Sequence, residues 1–374
     1  MIYRITTCLI LAVLFCFNSL HAAGPTTVPR NDQAADSSIT LIPSLVDSIQ
    51  FKEDILFCDI RIPVNDPQIK QRLEKELMLS LWDRPQVILW LKRSTRYFPQ
   101  IEKILKKNNL HSDFKYVPVV ESALRPHSRS NKGAVGFWQF IRSTGKRYQL
   151  RIDSKIDERR NIIKSTHAAC LYLKKLQDQF GSSLLALAAY NMGEYGLASE
   201  IKAQEIKDFF SLYLPLETQR YILKIIAAKM IIEHPERYGF YLKKQDYYPE
   251  LSFDRVNFNS KTEIPITLIA KAAKTSFKTI KDLNPDIRGY YLTTGKISIL
   301  IPKGQANNFE KRFSKLFSQY RKTHEKRFHI VKKGESLTGI ARQYKISLST
   351  LLKWNNLNRN SMIHPGNRLV VSKN

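Results

Sequence analysis

Glu121 is the side chain in this 374-residue sequence whose neighbours could give it unusual chemistry. Val117, Pro118, Val119 and Val120 precede it and Ser122, Ala123 and Leu124 follow, so its carboxyl leaves a largely apolar surface. Such surroundings disfavour the charged form, raise the pKa and let a carboxyl hold a proton near neutrality as a general acid. A half-buried glutamate in an ion pair or at a helix end is the plainer reading of the same residues. Downstream, Gly133 and Gly136 bracket Gly-Ala-Val-Gly, which lets backbone approach a ligand closely. Phe137, Trp138, Gln139 and Phe140 then supply planar faces and one amide. Aromatic faces stack on sugar rings, and Gln and Ser hydrogen-bond hydroxyl and acetamido groups.

Four segments in order, Glu121-Ser122, Gly133 to Phe140, Ala189-Tyr190-Asn191, and Leu214 to Thr218 with Tyr221, span roughly residues 95 to 240. Together they resemble the lysozyme-like lytic transglycosylases of the membrane-bound murein transglycosylase D type. The resemblance implies a mainly α fold, with Glu121 catalytic and Ser122, Ser130, Gln139, Tyr190 and Asn191 touching substrate. Ser130 stands nine residues after the acid, and the Tyr190 hydroxyl is expected to point at the acid's site. Gly133, Gly136, Trp138, Glu217 and Tyr221 are supporting residues, with Glu217 bracing the groove. Glycoside hydrolases normally use two carboxylates. The resembled enzymes use one, as acid and then as base, and the muramoyl primary hydroxyl closes an anhydro ring in place of water. A hydrolytic muramidase and a non-catalytic peptidoglycan-binding scaffold are the alternatives. No cofactor and no metal are called for.

The elements that must hold these residues are helical. Ile69, Leu73, Leu77 and Leu81 recur every four residues, and Ile101, Ile104 and Leu105 share one face of a helix expected to begin after Pro99. His111-Ser112-Asp113 ends that helix and leads into the one bearing the acid. Asp157-Glu158-Arg159-Arg160-Asn161 reads as a capped, solvated helix start, followed by a helix from Ile162 to Phe180 closed by Gly181. A helix from Ser182 carries Leu184 to Ala189 into a core and ends near Tyr190. His127 and Arg125 read as solvated or structural.

Residues 1–23 read as a secretory signal: one charge, Arg4, an apolar run too short for a membrane span, and Ala22-Ala23 for cleavage. The expected location is the periplasm or cell envelope. Phe15 precedes Cys16 and Thr7 precedes Cys8, so the small residue before a lipid-bearing cysteine is lacking and no lipid anchor is expected. Cys58 and Cys170 remain after cleavage, as one disulfide or as two buried thiols. The formal charge of +27 favours polyanions, and with an export signal these are wall carboxylates and anionic envelope polymers rather than nucleic acid. A flexible leader is expected over 24–63, the helical catalytic domain over 64–242, and a linker at Lys243 to Glu250. The expected chain is a monomer without a transmembrane span.

Residues 328–374 resemble a LysM module, βααβ in outline, with Gly334 and Pro365-Gly366 at its turns. Residues 252–305 align with it without a gap at an offset of 71, Ile266 on Leu337, Asn284 on Asn355 and Gly295 on Gly366. That first copy has Pro265 where the second has Ser336 and is read as degenerate. LysM modules bind N-acetylglucosamine glycans, and the candidates in the second copy are Gly334, Glu335, Ser336, Leu337, Asn360, Met362 and Ile363. Between the copies, 306–327 reads as a helical linker whose Phe309, Phe313, Leu316, Phe317 and Tyr320 form a packing stripe.

Overall fold

The computed structural model describes residues 43–51, 53–324 and 327–372. The chain is mainly helical, an α domain followed by two small βααβ modules. Helix α1 (Pro67–Trp82) opens where Asp66 accepts the N–H groups of Gln68 and Ile69 and Pro67 fills the first turn. Leu73, Leu77 and Leu81 are buried along it, as their four-residue spacing predicts. Helix α2 (Arg84–Lys107) differs from expectation, because it runs straight through Pro99 instead of starting after it. Proline has no N–H for the Thr95 carbonyl. On the same helix the Lys92 and Arg96 carbonyls accept the N–H groups of Tyr248 at 3.3 Å and Leu251 at 3.1 Å. The Lys243 to Glu250 stretch is thus a strap on α2 rather than a loose linker, with Lys92 and Arg96 over the Tyr248 ring.

The flexible leader expected to residue 63 also ends sooner. Leu56–Phe57 and Ile60–Arg61 pair as a hairpin whose turn residues, Cys58 and Asp59, both have positive φ. Ile55, Phe57 and Ile62 lie in the main core, and that much apolar surface in one short stretch does not stay solvated. The signal segment 1–23 and the leader through residue 42 lie outside the described residues. Cys58 and Cys170 are free, buried thiols, and burial pushes the Cys170 thiol up to about 12.

Helix α3 (Val117–Ser122) carries Glu121. Helix α4 (Ile162–Phe180) is capped by the Asn161 side chain at Ile163 and Lys164 and closed by Gly181 at φ +74°. Helix α5 (Ser183–Met192) buries every side chain from Leu184 to Ala189, so it runs through the middle of the domain. Helix α6 (Leu216–Glu233) packs against both α1 and α5.

Each repeat forms the same unit. In the first, β1 (Phe253–Ser260) pairs antiparallel with β2 (Gly295–Pro302) over α7 (Ile266–Ala272) and α8 (Phe277–Leu283). Helix α9 (Phe309–His324), expected as a linker, belongs to this unit: Phe309 and Phe313 are buried in its core, and Phe313 lies 4.9 Å from Phe258. In the second, β3 (Arg327–Ile330) pairs with β4 (Arg368–Ser372) over α10 (Leu337–Gln343) and α11 (Leu348–Asn355). Ser276 and Ser347 cap equivalent helices. Asn284 clamps Leu300 through N–H and carbonyl bonds at 2.8 Å, and Asn355 clamps Val370 at 2.6 and 2.9 Å. The offset of 71 therefore holds through the asparagine and becomes 70 in the last strand. Among the described residues no helix is long and apolar enough to cross a membrane.

Candidate active site

Glu121 is the next-to-last residue of α3, a six-residue helix that ends abruptly. Ala123 and Leu124 follow at φ +51° and +57°, two successive left-handed residues of which neither is glycine. Strain of this kind costs about 1–3 kcal/mol per residue and persists only where the surroundings hold it. Ser122 is part of that hold. Its hydroxyl, expected to meet substrate, is buried and lies 2.9 Å from both the Pro118 and Phe137 carbonyl oxygens, tying the helix end to the next loop.

The carboxyl of Glu121 faces an open cleft of about 550 Å³ that Ser130, Gln139, Tyr190, Asn191 and Glu217 also line. Burial raises its pKa to about 7; the Tyr221 hydroxyl and the Lys224 charge act against the rise, and Glu217 adds to it. Tyr221 is the acid's direct partner, donating to Oε1 at 2.6 Å across 100 residues of chain. Tyr190 lies near enough to the acid to feel its charge. It lines the cleft, but its hydroxyl donates to the Trp138 carbonyl at 2.6 Å. Glu217 is exposed in the first turn of α6, a second carboxylate on the cleft wall rather than a brace. Asn191 accepts the Thr218 hydroxyl at 3.0 Å, joining the ends of α5 and α6 at the cleft.

The loop after the acid corrects two expectations. Phe137 and Trp138 are buried in the main core rather than presented to a sugar, and the Trp138 indole donates to Thr166, whereas Phe140, also buried, lines the cleft beside Tyr190. Gly136 meets protein, not ligand: at φ +84° it packs so closely on Arg159 that a Cβ would collide with that residue's carbonyl oxygen. Gly133, at φ +78°, has open space around it. Beside Ala134 and Phe140, the loop offers the cleft polar groups. Gln139, at φ +47°, donates to the Gly136 and Ser128 carbonyls, and Ser130 accepts the Ala134 N–H. The Asp157 to Asn161 run, expected to be solvated, buries Asp157, Arg159 and Asn161.

Tyr172 escaped the sequence reading. It lines the cleft and sits 5.3 Å from Tyr190, which lines it too, and 4.7 Å from Tyr148 behind them. Its helical spacing resembles that of any core residue, so no local signal marked it. Away from the cleft, the Cys58 thiol, a His111 nitrogen and an Asp113 oxygen lie within 4.8 Å of one another. Asp113 already accepts the Cys58 N–H and the Lys229 ammonium, and burial holds the Cys58 thiol protonated, an arrangement that clamps the hairpin.

In the second repeat the expected glycan residues separate into two groups. Glu335 accepts the Lys332 N–H and bonds His329 at 2.5 Å, Ser336 caps α10, and Leu337 and Ile363 pack on the small core. Gly334 takes a turn at φ +88°, while Asn360 is exposed and Met362 is 84 % exposed.

Residues 98–212 match the transglycosylase SLT domain family, and 329–372 match the LysM domain family. The chain is 32% identical over 325 residues to membrane-bound lytic murein transglycosylase D of Escherichia coli K12, a match covering 83% of this chain and 70% of that protein. The same protein from Escherichia coli O6:H1 gives the same figures. The 70 kDa soluble lytic transglycosylase of Escherichia coli is similar at 15% identity and a TM-score of 0.33, over 47% of this chain and 32% of that one. This chain thus spans about a third of the length of that solved structure.

Proposed function

Because the chain belongs to the family of membrane-bound lytic murein transglycosylase D, we propose that its cleft cleaves the β-1,4 bond between N-acetylmuramic acid and N-acetylglucosamine without water. The observation that carries this reading is the Glu121 carboxyl, poised at about 7 inside the cleft and hydrogen-bonded by Tyr221. Protonated Glu121 gives its proton to the glycosidic oxygen as the bond breaks. The carboxylate left behind takes the proton of the muramoyl primary hydroxyl, whose oxygen closes the 1,6-anhydro ring. Attack from within the same sugar replaces a positioned water with a high effective molarity. Ser130, Gln139 and Asn191 supply hydrogen bonds that orient the sugar, and Tyr172 and Tyr190 give it an aromatic wall.

The second repeat, a LysM domain by sequence, holds the cleft near an insoluble polymer and so raises the local substrate concentration. Export by the N-terminal segment places the protein in the cell envelope. Mass spectrometry of the fragments released from purified murein tests the reading. Anhydro ends are expected. Reducing ends would mean hydrolysis with Glu217 positioning the water, and no release would mean a binding scaffold.

A further inference from the structure

The first repeat is joined to the catalytic domain by more than its strap. Ile156, in the loop before α4, pairs with Ile287 in a short antiparallel bridge and belongs to the repeat's own core. The Asp157 N–H donates to the Asp286 carbonyl and the Arg288 N–H to the Lys155 carbonyl, both at 2.8 Å. Asp286 is buried, and its carboxylate reaches back into the domain, accepting Asn161 Nδ2 at 3.1 Å and pairing with Lys164 at 3.4 Å. Asn161 is the cap of α4.

The carboxylate thus fixes Asn161, two residues beyond Arg159, and from there the contacts continue to the cleft. Buried Asp157 holds buried Arg159 through two bonds, at 2.8 and 2.9 Å. The free arm of the guanidinium donates to the Gly133 carbonyl at 3.1 Å and the Phe140 carbonyl at 3.0 Å, the two ends of the loop that presents Gln139. Arg159's own carbonyl is the surface on which Gly136 rests. The Asp157–Arg159 bonds and the Arg159 bond to the Phe140 carbonyl lie between buried groups, where geometry is held most stiffly.

We propose that Asp286 is a positioning residue for the cleft, and that the first repeat serves as a brace for the catalytic loop instead of an independent glycan anchor. The proposal rests on the transglycosylase reading for its rate effect but not for its structural effect, so the two can fail separately. The test uses the full chain carrying Asp286→Ala, with Asp286→Asn as the milder variant that keeps an oxygen for Asn161 and loses the charge facing Lys164. Amide hydrogen exchange over residues 130–140 is expected to quicken about tenfold in Asp286→Ala as the loop opens locally. The kcat on murein should fall by about ten- to a hundredfold, as for a reacting group displaced by a fraction of an ångström. KM and co-sedimentation with murein should be unchanged, and Asp286→Asn should fall in between. Unchanged exchange across that loop in a folded variant would overturn the brace. So would lost sedimentation with kcat intact, which is the mark of an anchor. A wild type without turnover would sink the enzymatic reading while leaving the exchange result to decide this one.

Discussion

At the scale of single residues, the acid is tuned by a few neighbours that work in opposite directions. Its folded pKa of about 7 lies above the ordinary 4.5, so the stability it lends as a neutral group is complete below pH 4.5 and disappears as pH rises through 7. Glu121→Gln, which mimics the protonated form, should therefore melt higher than wild type at pH 8, by up to about 3 kcal/mol, and no higher at pH 4. Thermal melts at the two pH values check this. The same variant should lose about 10²–10⁴-fold in turnover, the usual contribution of a general acid. Tyr221→Phe removes the 2.6 Å bond that favours the ionised carboxylate. The falling limb of its pH–rate profile should move to higher pH than in wild type, and a limb that stays put would separate Tyr221 from the titration. Glu121 was legible because its apolar neighbours are adjacent in sequence. Tyr221 was legible only as a supporting residue, since a contact across 100 residues leaves no local trace. Trp138 misled because an aromatic after a glycine loop looks the same whether it meets a sugar or, as here, a buried threonine.

Elements tell a similar story about what is local and what is not. The periodicity of α1, the cap at Asn161 and the closing Gly181 are written in neighbouring residues, and the structure has all three. Pro99 is different: the helix expected to begin after it runs through it, and the strap that lies along that helix comes from about 150 positions away, where nothing local announces it. The two glycines of the cleft loop offer a test of which spacing matters. Gly136→Ala combines backbone strain at φ +84° with a collision against the Arg159 carbonyl, whereas Gly133→Ala meets only strain. Strain alone is worth about 1–3 kcal/mol. Gly133→Ala should lower the melting temperature by about 2–10 °C, the effect of strain alone, and Gly136→Ala by clearly more than that or prevent folding. Equal effects would mean that the close approach is not what fixes the loop.

At the scale of the whole molecule, three buried apolar clusters among the described residues divide the work unevenly. The main core takes in the catalytic helices and the hairpin after the leader; the first repeat has its own core, but Ile156 of the catalytic domain is part of it; the second repeat's core is drawn from its own residues, among them Val331, Ile340, Leu351 and Val371. A cluster that shares no side chain with another gains nothing from its neighbour's folding, whereas one that borrows a buried isoleucine and several buried polar bonds must unfold with its lender. Calorimetry of the full chain should therefore resolve two transitions, one for the catalytic domain with the first repeat and one for the second repeat. Ending the chain after His324 should remove only the smaller transition and leave turnover on soluble murein fragments intact, while co-sedimentation with whole murein falls. The basic excess gives that retention a second signature: twelve Lys and Arg stand against Glu325 and Glu335 from Arg321 onward. Attraction between exposed charges is screened within about 8 Å at physiological salt, so retention of the full chain should weaken as salt is raised. If the shortened chain instead lost the larger transition as well, the second repeat would be part of the enzyme's fold and not a tether.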